Sequence, residues 1–332
     1  MKIYKGIDVF KLFAAIGVVA IHANLVFFKT LGRMGVPFFV IISSFFFFRK
    51  YIDLDSQNQK QRLIIFEKRI LYLFLCWEVF YIPLALKNLA NFIQDKGFSL
   101  RTLVSYIYHF LFAAASTVNG WGPSWYLIAM MIGLIVFIFL LRIFKSNLWI
   151  IGIICVLVEV YYILANEFAM YTHFNDIGTH GFPRLLIYIF IGYLIAEMQT
   201  SITSKSLNFY LALFLISLAL FAIENMIIWK LGGSSNSQEV IMSVPTSASM
   251  AILSIKWQPS ITSTLMYKKF STFLYCVQAW PMWILGHFIN IESSVLNEVI
   301  VFGAIMVFAF VTFEIYLLVQ KKTQWKFWSY MV

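Results

Sequence analysis

Three ionisable side chains that could do chemistry lie in the first apolar stretch of the chain. In GIDVFKLFAAIGVVAIHANLVFF they are Asp8, Lys11 and His22. An ionisable group inside a bilayer costs at least about 2.5–3.5 kcal/mol on insertion scales, so such groups are candidates for function. Asp8 and Lys11 are three residues apart and share one helix face, where they can pair. Lys11 and His22 are almost three full turns apart, which places them on one side of the helix, separated by about 16 Å along its axis.

An acid, a base and an imidazole on one face predict that this face lines a polar cavity rather than lipid. Two simpler interpretations stay open for the same residues. Asp8 and Lys11 could form an interfacial ion pair that snorkels to the cytoplasmic water. His22 could be a histidine satisfied between packed helices.

The composition places these residues in a membrane protein. Of 332 residues, 61% are hydrophobic and only 12% are charged, whereas a soluble protein is about 25% charged. A soluble enzyme, a disordered chain and a nucleic-acid binder are therefore excluded. The net charge of +10 comes from basic residues at the ends of apolar runs, which is how membrane proteins orient themselves. We expect the lipid bilayer, and no nucleic acid, as a partner.

Ten apolar runs are long enough for helices that cross a bilayer core, which needs roughly 20 residues. They lie near residues 8–28, 34–51, 68–86, 124–142, 147–165, 183–199, 207–229, 239–255, 270–289 and 295–319. The predicted fold is an all-α polytopic membrane bundle of about ten helices, with residues 1–332 as a single domain. Both termini are predicted to be cytoplasmic, because this orientation puts most basic residues inside. It also requires residues 100–117 to be an amphipathic or re-entrant segment on the outer side.

No metal site is expected. Cys76, Cys155 and Cys276 all lie inside apolar stretches and are interpreted as small core residues. His173 and His180, in an outer loop with Asp176, do not match the spacing of a closed metal site.

Further candidates flank the second and fourth spans. Arg33 begins RMGVPFFVIISSFFFFRKY, which contains Ser43, and NGWGPSWYLIAMM contains Trp125 and Tyr126. Each has a simpler interpretation: Arg33 as an interface anchor, Ser43 as a small residue for helix packing, and the tryptophans as part of an aromatic belt.

The spacing of these residues resembles the acyltransferase-3 family of membrane enzymes, which transfer acyl groups, usually acetyl, to carbohydrates. The first span of that family carries a basic residue, ten intervening residues and a histidine. Lys11 and His22 match this pattern, with lysine in place of the usual arginine. In the second span Arg33 precedes VPFFVIISS, where Ser43 matches and Ser44 replaces the usual glycine.

The resemblance continues along most of the chain and weakens in the last third. PSWYLIAMM is similar to the family's later tryptophan–tyrosine element, and IGYLIAE to a span containing Gly-Tyr. Near the end, STFLYCVQAWPMW matches in outline, with Gln278 where the family has histidine.

The resemblance implies an O-acetyltransferase of the plasma (inner) membrane. The donor would be cytoplasmic acetyl-CoA, and the acceptor a hydroxyl of a cell-surface polysaccharide or of its lipid-linked precursor. His22 would be the general base, since an ordinary imidazole pKa near 6.5 suits that role at neutral pH. Lys11 and Arg33 would complete the catalytic set by holding the CoA phosphates or polarising the thioester carbonyl. The residues expected to bind acetyl-CoA are Asp8, Lys11, Arg33, Ser43, Trp125 and Tyr126.

Two other functions stay open at this point. A transporter or flippase for a lipid-linked glycan also needs polar groups inside a bundle, although it would favour internal repeats, and none is evident. A glycan polymerase or a sensor would use no acyl donor. The oligomeric state is also open, with a homodimer as one option.

Overall fold

The computed structural model describes residues 4–109, 120–166, 181–231, 240–288 and 295–332. These residues form fifteen α-helices. The helices are α1 (Lys5–His22), α2 (Val26–Gly32), α3 (Gly35–Phe48), α4 (Ser56–Lys96), α5 (Leu100–Tyr108), α6 (Trp125–Ile143), α7 (Leu148–Asn166), α8 (Leu186–Glu197), α9 (Gln199–Ser204), α10 (Leu207–Lys230), α11 (Ser243–Lys256), α12 (Leu265–Val277), α13 (Ala279–Phe288), α14 (Val295–Thr323) and α15 (Lys326–Ser329). Short 3₁₀ turns, Gly122–Ser124 and Pro183–Leu185, precede α6 and α8. The all-α prediction is confirmed.

Six helices among the described residues are long and apolar enough to cross a bilayer. They are Phe28–Phe48, Ser56–Lys96, Gly122–Ile143, Leu148–Asn166, Leu207–Lys230 and Val295–Thr323. The other four predicted spans coincide with α1, which carries three charges, with the short α8 and α11, and with the broken pair α12 and α13. A polytopic helical membrane protein is confirmed, whereas the number ten stays a prediction.

The first three helices form a tight hairpin. α1 ends at His22, and Asn24 takes a left-handed conformation (φ 57°) that turns the chain back. Gly17 and Gly32 then bring α1 and α2 into backbone contact, because a Cβ on Gly32 would collide with the Gly17 carbonyl. Small residues at a helix crossing permit this close approach in a membrane. α3 therefore lies directly against α1.

α3 is the central helix of the bundle. It packs against α1, α8 and α11, and Phe38, Phe45 and Phe48 on it are fully buried. The contact with α8 depends on Gly192, where a Cβ would lie 2.5 Å from Ser44 Cβ. α1 also packs against α12. Just ahead of α12, the Thr264 hydroxyl donates to Asp8 Oδ2 at 2.6 Å.

One end of the bundle, which we call the basic end, carries Arg49, Arg62 and Lys268. There the Arg49 guanidinium lies 5.2 Å from the centre of the Tyr4 ring. α4 starts at this end, where Asp55 accepts hydrogen bonds from the Asn58 backbone N–H at 2.9 Å and from its Nδ2 at 2.7 Å. These bonds hold the pKa of the Asp55 carboxyl below its ordinary value. The positive-inside rule predicts that the basic end faces the cytoplasm.

The segment predicted to be re-entrant is described only in its first part. α5 has nine residues, about 14 Å of helix, which is too short to span a core about 30 Å thick. It packs on the end of α4, where the Tyr106 hydroxyl donates to the Ala85 carbonyl at 3.0 Å. Residues 110–117 lie outside the described residues, so the re-entrant geometry stays a prediction.

Candidate active site

A cavity of about 480 Å³ opens toward the basic end of the bundle. Side chains from α1, α3, α4, α6 and α12, with residues 329–332, form its walls. Arg69 and Tyr330 on its lining are exposed and mark the mouth. Between the mouth and the deep end the walls are largely apolar, with Phe46, Phe66 and Leu73 among them. The cavity thus combines an exposed entrance with an apolar shaft.

The outer part of the cavity is cationic. Lys11, Arg62 and Arg69 line it, and Lys11 lies within electrostatic range of Lys268 and of Asp8. Arg62 donates from one terminal nitrogen to the Phe46 carbonyl at 3.4 Å, while its Nε is buried with no hydrogen-bond partner among the described residues. Buried donors are normally satisfied, so a cation cluster with a spare donor fits an anionic ligand such as a phosphate.

The deep end of the cavity carries hydroxyl groups. Ser43 Oγ and Tyr126 Oη form a hydrogen bond at 3.3 Å. The Tyr275 hydroxyl beside them donates to the Pro123 carbonyl at 2.9 Å, so the 3₁₀ turn ahead of α6 lies deep in the bundle. On α4, the residues that line the cavity extend from Arg62 to Leu73, about 16 Å along the helix. The cavity is therefore long enough for an extended, flexible ligand with an anionic head.

His22 is not on the wall of this cavity. It lies at the far end of α1, where its side chain is exposed. α1 is one continuous helix, so His22 shares a face with Lys11 as expected. Between them that face carries Ala15 and Val18, both buried, and α3 covers it at Gly35, where a Cβ would lie 2.8 Å from Val18 Cγ2. The cavity reaches Lys11 but stops short of the imidazole.

Three other predicted residues also lie off the cavity wall. Asp8 is held by Thr264. Arg33 is half-buried at the junction of α2 and α3. Trp125 is buried, and its ring lies 5.6 Å from the Arg184 guanidinium. Of the residues predicted to bind the donor, the structure brings together Lys11, Ser43 and Tyr126.

Sequence reasoning did not identify Arg62, Arg69 and Tyr275 as site residues. The two arginines enter the prediction only among the basic residues that orient the chain. Their spacing of seven, two turns along one helix face, was the available signal. Tyr275 is one of many aromatic residues in an apolar run, and no local pattern distinguishes it.

No cluster of residues that could hold a metal ion occurs in the described part of the chain. His173, Asp176 and His180 lie outside that part. Lys11, Arg62 and Arg69 are cationic and hold anions rather than metal ions, so the cavity offers a ligand site of a different kind.

Fold and cavity together define a polytopic helical membrane protein with a cation-lined pocket at its basic end. The sequence matches the family model Acyl_transf_3, described as an acyltransferase domain, over residues 4–318. The chain belongs to the acyltransferase-3 family.

Parts of the chain are also similar to two curated racemases. It is 34% identical over 106 residues to a serine/alanine racemase of Enterococcus gallinarum and 29% identical over 143 residues to an amino-acid racemase of Enterococcus faecalis. These matches cover 29% and 38% of this chain, but only 14% and 19% of the racemases. No solved structure matches the chain significantly.

Proposed function

We propose that this protein transfers an acetyl group from cytoplasmic acetyl-CoA to a hydroxyl of a cell-surface polysaccharide or of its lipid-linked precursor. The observation that carries the proposal is the cavity at the basic end, with three cations near its mouth and hydroxyls at its deep end. Membership of an acyltransferase family supplies the reaction class.

The cavity is suited to CoA in each of its parts. CoA carries three phosphates at one end, and Lys11, Arg62 and Arg69 present cations to them. Its pantetheine arm is long and flexible, and the phenylalanine-lined shaft accommodates such an arm. The thioester then lies near Ser43 and Tyr126, whose hydroxyls can donate to the carbonyl oxygen as negative charge develops there.

In the proposed step His22 acts as the base. The imidazole takes the proton of the acceptor hydroxyl, and the oxygen attacks the thioester carbon to form the new C–O bond. The C–S bond then breaks, the CoA thiolate leaves, and it receives the proton that His22 holds. Arg33, at the junction of α2 and α3, is the second cation assigned to binding or polarising the donor.

The positions of Lys11 and His22 give the reaction a direction across the membrane. Lys11 lies near the basic end, and His22 lies about 16 Å further along the same helix. The thioester, still attached to CoA, therefore has to reach outward past the contact of Val18 with Gly35 before an acceptor activated by His22 can attack it. A donor bound on one side and an acceptor on the other fit modification of a surface glycan.

The proposal is tested by replacing His22. His22→Ala is expected to remove acetyl groups from the surface polysaccharide of cells that contain normal amounts of the protein, because the acceptor hydroxyl loses its base. General-base catalysis contributes typically about 10²–10⁴-fold. Mass analysis of the polysaccharide from wild-type and variant cells measures how many acetyl groups are lost.

His109→Ala is the matched control. His109 is a half-buried histidine after α5, with its Nδ1 2.6 Å from the Ser105 carbonyl oxygen, and its replacement should leave acetylation unchanged. Full acetylation with His22→Ala would remove His22 from the mechanism. In detergent, acetyl-CoA should raise the melting temperature of the wild-type protein, as any ligand of the native state does. Absence of that shift would favour a flippase.

A further inference from the structure

Three aromatic rings close the deep end of the cavity. The centres of Phe39 and Tyr126 are 6.4 Å apart, those of Phe39 and Tyr275 are 5.7 Å apart, and those of Tyr126 and Tyr275 are 5.8 Å apart. All three distances are those of rings in contact. We call these residues the aromatic triad. They come from α3, α6 and α12, so three separate helices meet at this point.

Two members of the aromatic triad are held in place by hydrogen bonds. Tyr275 is fixed to the Pro123 carbonyl at 2.9 Å, and Tyr126 to Ser43 at 3.3 Å. Both rings are buried. Phe39 has no polar anchor and is only half-buried, so it is the member whose removal opens space at least structural cost.

We propose that the aromatic triad limits the donor to short acyl groups, with Phe39 as the residue that sets the limit. The inference rests on the proposed function, since it concerns the acyl group of the same donor. With the thioester beside Ser43 and Tyr126, the acyl chain points directly at the triad. Each added methylene then has to displace a ring, and an excess methylene in a fitted pocket lowers kcat/KM about 10- to 200-fold.

The experiment compares acetyl-CoA with hexanoyl-CoA as donors for the purified protein. Wild type should use acetyl-CoA far better, and Phe39→Ala should raise the ratio of kcat/KM for hexanoyl-CoA over acetyl-CoA at least about tenfold. In Phe39→Ala, the melting-temperature shift given by hexanoyl-CoA should also increase relative to the shift given by acetyl-CoA. This comparison measures the preference for a donor in binding alone, without acyl transfer. Phe39→Leu opens less space and should give a smaller change in the kcat/KM ratio. It replaces Phe39→Ala in the experiment if Phe39→Ala does not fold.

Phe10→Ala is the matched control. Phe10 is also half-buried, but it packs against Phe38 and Trp257 at centroid distances of 6.2 and 5.9 Å, so its removal should leave the donor ratio unchanged. An unchanged ratio in both Phe39 variants overturns the inference while leaving the acetyltransferase intact, as does a wild type that accepts both donors equally. If no acyl-CoA shifts the melting temperature or is consumed, the proposed function itself fails, and the inference fails with it.

Discussion

Two polar regions lie inside this bundle, and they are built differently. The cavity between α1, α3, α4, α6 and α12 holds three cations, and Arg62 Nε in it has no hydrogen-bond partner among the described residues. The second region, between α7, α8, α10 and α11, holds hydroxyls that bond to one another. Ser217 and Ser249 are 2.8 Å apart, and Tyr188 and Ser243 are 3.0 Å apart.

Most hydroxyls named in the second region have hydrogen-bond partners within it, although Ser247 Oγ on α11 is buried with none among the described residues. Thr246 donates to the Met242 and Ser217 carbonyls, and Ser249 donates to the Thr246 carbonyl. Such small polar residues let helices approach closely and add modest hydrogen bonds in a membrane. The cavity differs from the second region in charge, because Lys11, Arg62 and Arg69 line its wall and cations in an apolar setting are costly unless they are paired. This difference in charge is the reason for proposing the cavity, rather than the second region, as the donor site.

Removing the charge of Lys11 is expected to have the largest effect on activity. Lys11→Met should lower kcat/KM for acetyl-CoA by at least about 100-fold, the scale found when one fixed electrostatic group is lost from an active site. Lys11→Arg keeps the charge and should stay within about tenfold of wild type. Steady-state kinetics on the purified protein measures both. Equal losses in the two variants would show that Lys11 does not act through its charge.

Adding a methyl group at Gly192 is expected to give the largest loss of stability. Gly192→Ala places a Cβ 2.5 Å from Ser44 Cβ and 2.6 Å from the Ile41 carbonyl oxygen, so α3 and α8 must separate. Overpacking costs typically about 1–3 kcal/mol. The thermal midpoint in detergent should fall, because α3 and α8 lose packing contacts when they separate.

Gly303→Ala is the control for that substitution. A Cβ on Gly303, within α14, meets nothing within 4 Å, so the midpoint should hold or rise slightly as the helix loses a flexible residue. A similar fall for both variants would contradict the explanation by overpacking, because a methyl group at Gly303 meets no neighbouring atom.

The sequence predicted the helices better than the cavity. Asp8, Lys11 and His22 fall on one helix because local spacing alone determines a helix face. The break that divides the predicted span 270–289 at Gln278 also has a signal in the sequence, since Pro281 has no N–H to bond the carbonyl of Val277, four residues earlier. The helical position of Arg62 was harder to predict from the sequence, because the polar stretch around it resembles a loop. Asp55, a good N-cap residue, is the signal that a helix begins there.

The walls of the cavity required the tertiary structure. Arg62, Tyr275 and Tyr330 come from segments more than fifty residues apart, and no local period links them. The cover of α3 over the face between Lys11 and His22 likewise follows from the contact of Gly35 with Val18, which the pattern of either helix alone does not contain. Local rules place a residue on a face, whereas packing decides whether that face is open.

The smallest effect is expected where the second region loses a single hydroxyl. Ser249→Ala removes its bonds to Ser217 and to the Thr246 carbonyl, but Ser217 still donates to the Phe214 carbonyl at 3.0 Å. No polar group is orphaned, so unfolding should become easier by only about 1 kcal/mol, with kcat/KM for acetyl-CoA unchanged. Thr312→Val, which deletes a hydroxyl bonded only within its own helix, should cost less still. If Ser249→Ala instead lowered kcat/KM tenfold at a normal melting temperature, the second region would have to be counted as part of the active site, because a packing hydroxyl has no means of changing the rate without changing stability.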